Sequence, residues 1–257
     1  MRVRAVVEYL GTGWCGWQAQ PQVPTIQCAL EKALRTAAGV TTRIAVAGRT
    51  DAGVHAHGQV VAFNVPEATD LRRLLASLNA LAGRGITVVS LEPTHEAFDP
   101  RRDALSRTYQ YTILNGRPAS PFFDDRSWTL YRPLDLDLLS RTAAVIVGSH
   151  DFAAFRSADC QSRSTLRTVM RSQWQRDGAI LTYTVTANAF LKQMVRSLVG
   201  TMVDIAIGRL PEERMAALLV GGSREQAGQT APAKGLTLLE VAYPRDGEVR
   251  APRARPQ

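Results

Sequence analysis

The sequence predicts an α+β fold of two similar halves, each ordered β-α-β-β-α-β, with antiparallel sheets side by side and a cleft between them. Three observations carry that expectation. Strand-like and amphipathic helical patterns follow one another in the same order twice. Asp177-Gly178 stands between two alternating runs, a strong signal for a hairpin and so for antiparallel pairing. The chain has 257 residues, 45% of them apolar, enough for one large core or two of ordinary size. The recurrence is one of elements and not of residues. It divides residues 1–104 from residues 105–257.

In the first half, Val3–Leu10 reads as a buried strand, β-branched and apolar, stopped at Gly11. GTGWCG follows and formally satisfies G-x-G-x-x-G. A dinucleotide fingerprint opens directly into a helix so that pyrophosphate meets its N-terminus. Here Pro21 and Pro24 bar a helix start, and Trp14 and Trp17 crowd the turn. Thr25 can cap a helix running to Ala38, with Ile26, Leu30, Ala33, Leu34 and Ala37 at helical spacing. Arg43–Ala47 is a short strand and Gln59–Val65 its returning partner, so AGRTDAGVHA at 47–56 lies at a hairpin tip. Leu71–Leu81, an amphipathic helix, and Ile86–Leu91, a strand, complete the half.

Phe98–Asp103 crosses to the second half, where Arg107–Leu114 alternates as a strand with Tyr109 and Tyr111 on one face. Residues 115–133 are rich in turns. Leu134–Val147 is a helix stopped at Gly148, and residues 150–168, with Phe152, Phe155, Arg156, Arg163 and Arg167, show little periodicity and read as one long functional loop. Val169–Arg176 and Ile180–Thr186 form the hairpin around Asp177-Gly178. Phe190–Ile207 is a long apolar helix and Leu236–Tyr243 a last strand, before a Pro- and Arg-rich tail expected to be loosely ordered.

The formal charge of +8 and a pI of about 9.9 point to a polyanionic partner, although a compositional bias toward Ala and Arg also raises them. Residues 1–104 carry a net +2 and residues 105–257 a net +6; Arg outnumbers Lys 28 to 3, and its planar fork suits phosphate. Cys15, Cys28 and Cys160 are odd in number and in no C-x-x-C arrangement, which argues for a reducing compartment and against a zinc site or disulfide framework. No apolar run approaches the ~20 residues of a membrane span. The chain is therefore expected to be cytoplasmic and soluble, with no membrane partner.

Gly48 and Gly53 bracket a lone carboxylate, Asp51, with Arg49 two residues before it and His55 four after. A Gly-flanked Asp can be presented from a tight loop into a cleft, where a single carboxylate suits nucleophilic work better than metal binding. An Asx-turn that caps its own backbone fits the same spacing. Arg196 interrupts a helix that is otherwise apolar nearly all round, and a buried Arg needs a charged partner. Asp51, Asp204 or a route to solvent would each serve. Lys192, nearer the helix start, is a candidate phosphate contact, and Gly200 lets another backbone come close. His55 and His57 would share a strand face, but His95 and His150 are remote and no acidic cluster accompanies them, so no metal site is expected. The H-x-E…P-C-x-x-C pattern of zinc base deaminases is absent.

GRTDAGVHA resembles the signature of the tRNA pseudouridine synthase A family, and the likeness runs from Val3 to about Tyr243. Tyr9, Gly11, Gly16, Trp17 and Gln18 match the family's first-strand ending. Phe98 and Arg101 match its crossing segment, and Arg107, Tyr109 and Tyr111 its R-x-Y-x-Y. Further blocks fall at 151–163, 187–200 and 233–243. Leu10 stands where the family commonly has Asp, and Arg102 where it has an aromatic residue.

The resemblance implies a two-domain α+β build and the isomerisation of uridine to pseudouridine at positions 38, 39 and 40 of the tRNA anticodon stem-loop. It implies no cofactor, no metal, and a homodimer whose paired clefts grip one tRNA. By the same resemblance Asp51 is the nucleophile, adding to the base or to the ribose, and Tyr109 packs on the flipped base and is a candidate for the later proton removal from C5. Arg196 pairs with Asp51, Arg49 guides the nucleotide, and Leu236 is an apolar wall. Lys192, Arg156 and Arg163 belong to the substrate-binding surface. Two rival classes stand beside this one: a catalytically silent RNA-binding protein, and a nucleotide-cofactor enzyme built on GTGWCG.

Overall fold

Alternation decides the first strand, β1 (Arg2–Tyr9): Val3, Ala5, Val7 and Tyr9 are buried, and Arg2, Arg4, Val6 and Glu8 keep partial exposure on the other face. The computed structural model describes residues 1–244, so the Pro- and Arg-rich tail lies outside the described residues. The Thr25 hydroxyl accepts from the Cys28 N–H to start α1 (Ile26–Ala38), which ends at Gly39 in the left-handed region. A short β2 (Ala45–Val46) and a long β3 (His55–Asn64) pair antiparallel, with residues 47–54 at the tip. Asp70 caps α2 (Leu71–Leu81), and β4 (Ile86–Thr94) follows. Leu30, Leu34 and Leu78 from the two helices meet Ala5, Val7, Val61, Phe63 and Val88 from the strands in one apolar layer.

The second half runs β5 (Ser106–Asn115), β6 (Trp128–Leu130), α3 (Leu136–Val145), β7 (Gly148–Asp151), β8 (Leu166–Asp177) and β9 (Ile180–Ala187). Then come α4 (Met194–Ala206), α5 (Arg214–Leu219) and β10 (Leu236–Ala242). Every residue of α4 except Arg196 and Ala206 is buried, and the Trp174 indole of β8 donates to the Met202 sulfur of that helix at 3.2 Å.

All ten strands belong to one mixed sheet, in the order β4-β1-β3-β10-β5-β9-β8-β7, with β2 on β3 and β6 on β5. The centre of that sheet is β10. It pairs parallel with the start of β3, Thr237 opposite His55 and Leu238 opposite Ala56, and antiparallel with β5 from Leu236 opposite Tyr111. The last strand of the chain thus joins the Asp51 hairpin to the strand carrying Tyr109.

Four expectations need correction. Residues 150–168 are not one loop: they hold the second half of β7, a short 3₁₀ turn at Ala153–Phe155 and the start of β8. The Gly-Ser-His-Asp of β7 is a polar edge strand without apolar alternation, held by the register of His150 on Arg167. The three-residue β6 is likewise fixed only by its parallel pairing to β5. The apolar helix begins at Met194 and not Phe190, because Gln193 is left-handed (φ 63°) and the Phe190 ring turns edge-on to Tyr109, 5.1 Å between centroids. Finally, α5 lies in a stretch with no assigned element. Among the described residues no helix is long and apolar enough to cross a membrane.

Burial pushes the Tyr9 phenol up to about 12, and the phenols of Tyr109, Tyr111, Tyr183 and Tyr243 higher still. An unfolded chain releases these protons near the ordinary 10.0, so above that pH it binds fewer protons than the folded chain and folding loses stability as pH rises. Denaturant midpoints should hold steady up to about pH 9.5 and fall steeply between pH 10 and 11. A midpoint that is unchanged over that interval would contradict the burial of these hydroxyls.

Candidate active site

The Asp51 loop is fixed from its backbone. Its entry is held by Gln59, whose amide donates to the Gly48 carbonyl at 2.7 Å, and by Arg107, whose guanidinium donates to the Ala47 carbonyl at 3.0 Å. Thr50 is held twice: its hydroxyl meets the Tyr9 hydroxyl at 2.8 Å, and its carbonyl accepts from the Trp17 N–H at 3.1 Å. Gly16, at φ 83°, makes that approach possible, since a Cβ there would lie 2.9 Å from the Thr50 carbonyl oxygen. A turn in which the Val54 N–H donates to the Asp51 carbonyl at 3.2 Å closes the exit.

Held this way, Asp51 leaves its carboxylate free of its own loop. Its one side-chain hydrogen bond among the described residues comes from Arg196, Nη1 to Oδ2 at 3.2 Å, across 145 residues of chain. The Asx-turn alternative is therefore not the arrangement present. Asp204 is not the partner of Arg196 either: it pairs with Arg209 at 3.3 Å and accepts from Gln229. The pair is sheltered without being sealed, with the Arg196 side chain 15% and the Asp51 side chain 22% exposed.

Tyr109 stands beside this pair. Its hydroxyl lies 3.9 Å from where a Cβ on Gly48 would be, and burial raises it far above the ordinary phenol range, with the charges of Tyr9 and Asp51 acting in the same direction. It is a neutral hydroxyl at physiological pH. Leu236 is buried opposite Tyr111 on β10, on the sheet face that carries Tyr109 and Tyr111.

The other named residues form an outer ring. Lys192 is exposed and paired with Asp159, and the charge of Asp51 adds to the upward shift of its ammonium, whose largest cause is the Asp159 hydrogen bond. Arg49 and Arg163 are exposed and Arg156 is half-buried; none of the three forms an ion pair among the described residues. His55 and His57 do not share an environment, because His55 is buried while His57 is exposed near Glu8.

Two features escaped the sequence. Arg107 is buried and donates to three carbonyls, of Ala47, Arg101 and Asn188, tying the crossing segment and both halves to one guanidinium. Its signal was present, since the alternation that buries Tyr109 and Tyr111 also buries Arg107. The other is a strap, residues 228–235, laid along α4. Gly228 N–H donates to the Thr201 hydroxyl, Gln229 to Asp204, and the Ala231 carbonyl accepts from Arg196 Nε at 2.7 Å. The Tyr111 hydroxyl donates to the Pro232 carbonyl at 2.8 Å. The strap fits because Gly200 has no side chain: a Cβ there would sit 1.7 Å from the Gln229 carbonyl oxygen.

A family model described as tRNA pseudouridine synthase matches residues 143–244. Three similar proteins named tRNA pseudouridine synthase A come from Myxococcus xanthus, Geobacter sp. (strain M21) and Rhodospirillum rubrum. They are 41%, 40% and 41% identical over 247, 243 and 254 residues. These alignments cover 96%, 94% and 98% of this chain and 93%, 98% and 90% of the relatives.

Gly200→Ala would gain up to ~1 kcal/mol of helix propensity in isolation. Here the collision with Gln229 should dominate, with a net loss of roughly 2 kcal/mol or more in denaturant unfolding. A variant as stable as the parent would show that the strap does not lie on α4 at this point.

Proposed function

The chain belongs to the tRNA pseudouridine synthase A family, and from that premise we propose that it converts uridine to pseudouridine at positions 38, 39 and 40 of the tRNA anticodon stem-loop, with Asp51 as nucleophile. The observation that carries the residue assignment is the Asp51–Arg196 pair beside Tyr109. A carboxylate with no bond to its own loop, a guanidinium to offset its charge and an apolar ring to receive a flipped base are the groups this reaction needs.

The reaction breaks the bond between N1 and C1′, turns the base and forms a bond between C5 and C1′. The proton lost from C5 balances the one gained at N1, so nothing is oxidised and no second substrate is consumed. Asp51 adds to the base or to the ribose, and in either route the carboxylate is released at the end. Arg196 stabilises the charge that returns to Asp51. Tyr109, neutral in its buried slot, packs on the base. Leu236 closes the apolar side. Arg49, Arg156, Arg163 and Lys192 contact phosphates; Lys192 must first exchange Asp159 for the RNA.

The larger assembly belongs to the same reading: a homodimer acting in the cytoplasm, its paired clefts on either side of one tRNA, and each chain divided into the halves 1–104 and 105–257. The net +6 of the second half supports its role as the main RNA surface.

Pure protein incubated with tRNA tritiated at uridine C5 should release tritium with no added cofactor, and Asp51→Asn should abolish the release while tRNA affinity stays within about threefold, since affinity comes mainly from phosphate contacts. Release near the parental rate by the Asn variant, checked for deamidation, would assign the nucleophile elsewhere. Arg196→Met should slow single turnover by roughly 10²-fold, with Arg196→Lys between it and the parent, because an ammonium restores the charge without the planar fork. A folded Met variant with the parental rate would remove Arg196 from the reaction.

A further inference from the structure

The two members of the ion pair are held from opposite sides by one short piece of chain. On one side the Ala231 carbonyl accepts from Arg196 Nε at 2.7 Å, and the Ala231 N–H donates back to the Arg196 carbonyl at 3.1 Å. On the other, the Lys234 carbonyl lies 3.0 Å from His55 Nε2. His55 opens β3, and the Asp51–Val54 turn joins it directly to the carboxylate-bearing residue.

The tautomer of His55 follows from its neighbours. The Gly11 N–H donates to Nδ1 at 3.0 Å, so Nδ1 is the acceptor and the proton sits on Nε2, where it is donated to Lys234. The ring is buried and has no open side for substrate. It can act only through what it holds in place.

We propose that His55 is a positioning residue for the ion pair: its Nε2–H anchors the Asp51 loop to the same strap that anchors Arg196, so residues 231–234 set the separation between nucleophile and counter-charge. This rests on the reading of Asp51 as the nucleophile. It gives His55, already part of the motif around Asp51, a mechanical task distinct from both metal binding and proton transfer. The strap is fixed at its far end by Asp204 and Thr201, so the anchor that reaches His55 begins in the body of α4.

Acid should undo the arrangement. Burial holds His55 below the ordinary 6.5, and the Arg126 guanidinium acts with it; the carbonyls of Lys234 and Asp125 and the Asp125 carboxylate act against it. Lys234 faces the ring through its backbone, its ammonium being paired with Asp124 at 3.1 Å. A protonated ring would turn a second N–H against the Gly11 N–H and bury a charge, so it leaves the slot and both bonds are lost.

The two contacts of the ring can be separated by substitution. His55→Gln places an amide where Nε2 donates to Lys234 and loses the Gly11 bond; His55→Asn keeps an acceptor for Gly11 and loses the strap. The measurement is the single-turnover rate on tritiated tRNA at saturating enzyme from pH 5 to 8, with tRNA affinity and thermal melts in parallel. His55→Gln should stay within about threefold of the parent near neutral pH, and His55→Asn should be roughly tenfold to a hundredfold slower with unchanged tRNA affinity. Below pH 6.5 the parent should lose rate that the Gln variant, which cannot protonate, retains. A parental rate in His55→Asn overturns the proposal, and so do equally slow Gln and Asn variants. If His55→Asn does not fold, the acid limb decides: parent and Gln variant falling together overturns it. Activity in Asp51→Asn would overturn the nucleophile reading itself, whereas an inactive Asp51→Asn beside a parental His55→Asn would overturn this proposal alone.

Discussion

A carboxylate and a guanidinium 145 residues apart meet at 3.2 Å, and much of the architecture serves to make that meeting reproducible. A partly sheltered ion pair is a weak source of net stability, because each charge loses hydration that the contact only returns in part. Geometry must therefore be supplied by other interactions. Asp51 is held through bonds to its loop, from Trp17, Gln59 and Arg107 to backbone carbonyls and from Tyr9 to the Thr50 hydroxyl, and Arg196 through a helix buried on almost every side and a strap seated on it. Apart from that of Arg196 itself, none of these bonds goes to the Asp51 carboxylate.

The strand order makes the same point at larger scale. Had β10 paired only with its sequence neighbours, the Asp51 hairpin and the Tyr109 strand would be separate sheets with a soft joint. Because β10 pairs with both β3 and β5, the register of Thr237 on His55 and of Leu238 on Tyr109 transmits one fixed relation between them. The parallel contact spans only two residue pairs. Arg107, holding Ala47, Arg101 and Asn188 together, adds a second tie across the same junction.

What could be read in the sequence was what is determined locally. Thr25 and Gly39 bound α1 through their own side chain and φ, Leu71–Leu81 is a helix by its spacing alone, and Asp177-Gly178 turns a hairpin by backbone preference. The Asp51 motif was legible through its resemblance to a family signature, since its spacing alone fits an Asx-turn as well. The failures share a cause as well. Strand β7 has no apolar alternation, β6 is three residues long, and the strap is irregular up to a single 3₁₀ turn at Ala233–Gly235, so each exists through partners distant in sequence. Arg196 was legible as a residue in need of a partner, but the choice between Asp51 and Asp204 was not, since Asp204 is removed from contention only by Gln229 and Arg209. His55 was weighed as a metal ligand and its strap contact went unseen for the same reason.

Around the ion pair, burial acts on three phenols and one imidazole in the direction that removes their charge. The phenols of Tyr9, Tyr109 and Tyr111 are shifted up and the imidazole of His55 down, so at neutral pH all four carry none. The charge nearest Asp51 is then the Arg196 guanidinium at 3.2 Å, and the Lys192 ammonium also interacts with it. Of the four neutral groups, the one that gains charge on acidification is His55. That group touches the strap and not the substrate pocket. The consequence is that acid acting on this ring would reach the site as a change of geometry, through Lys234 and Gly11.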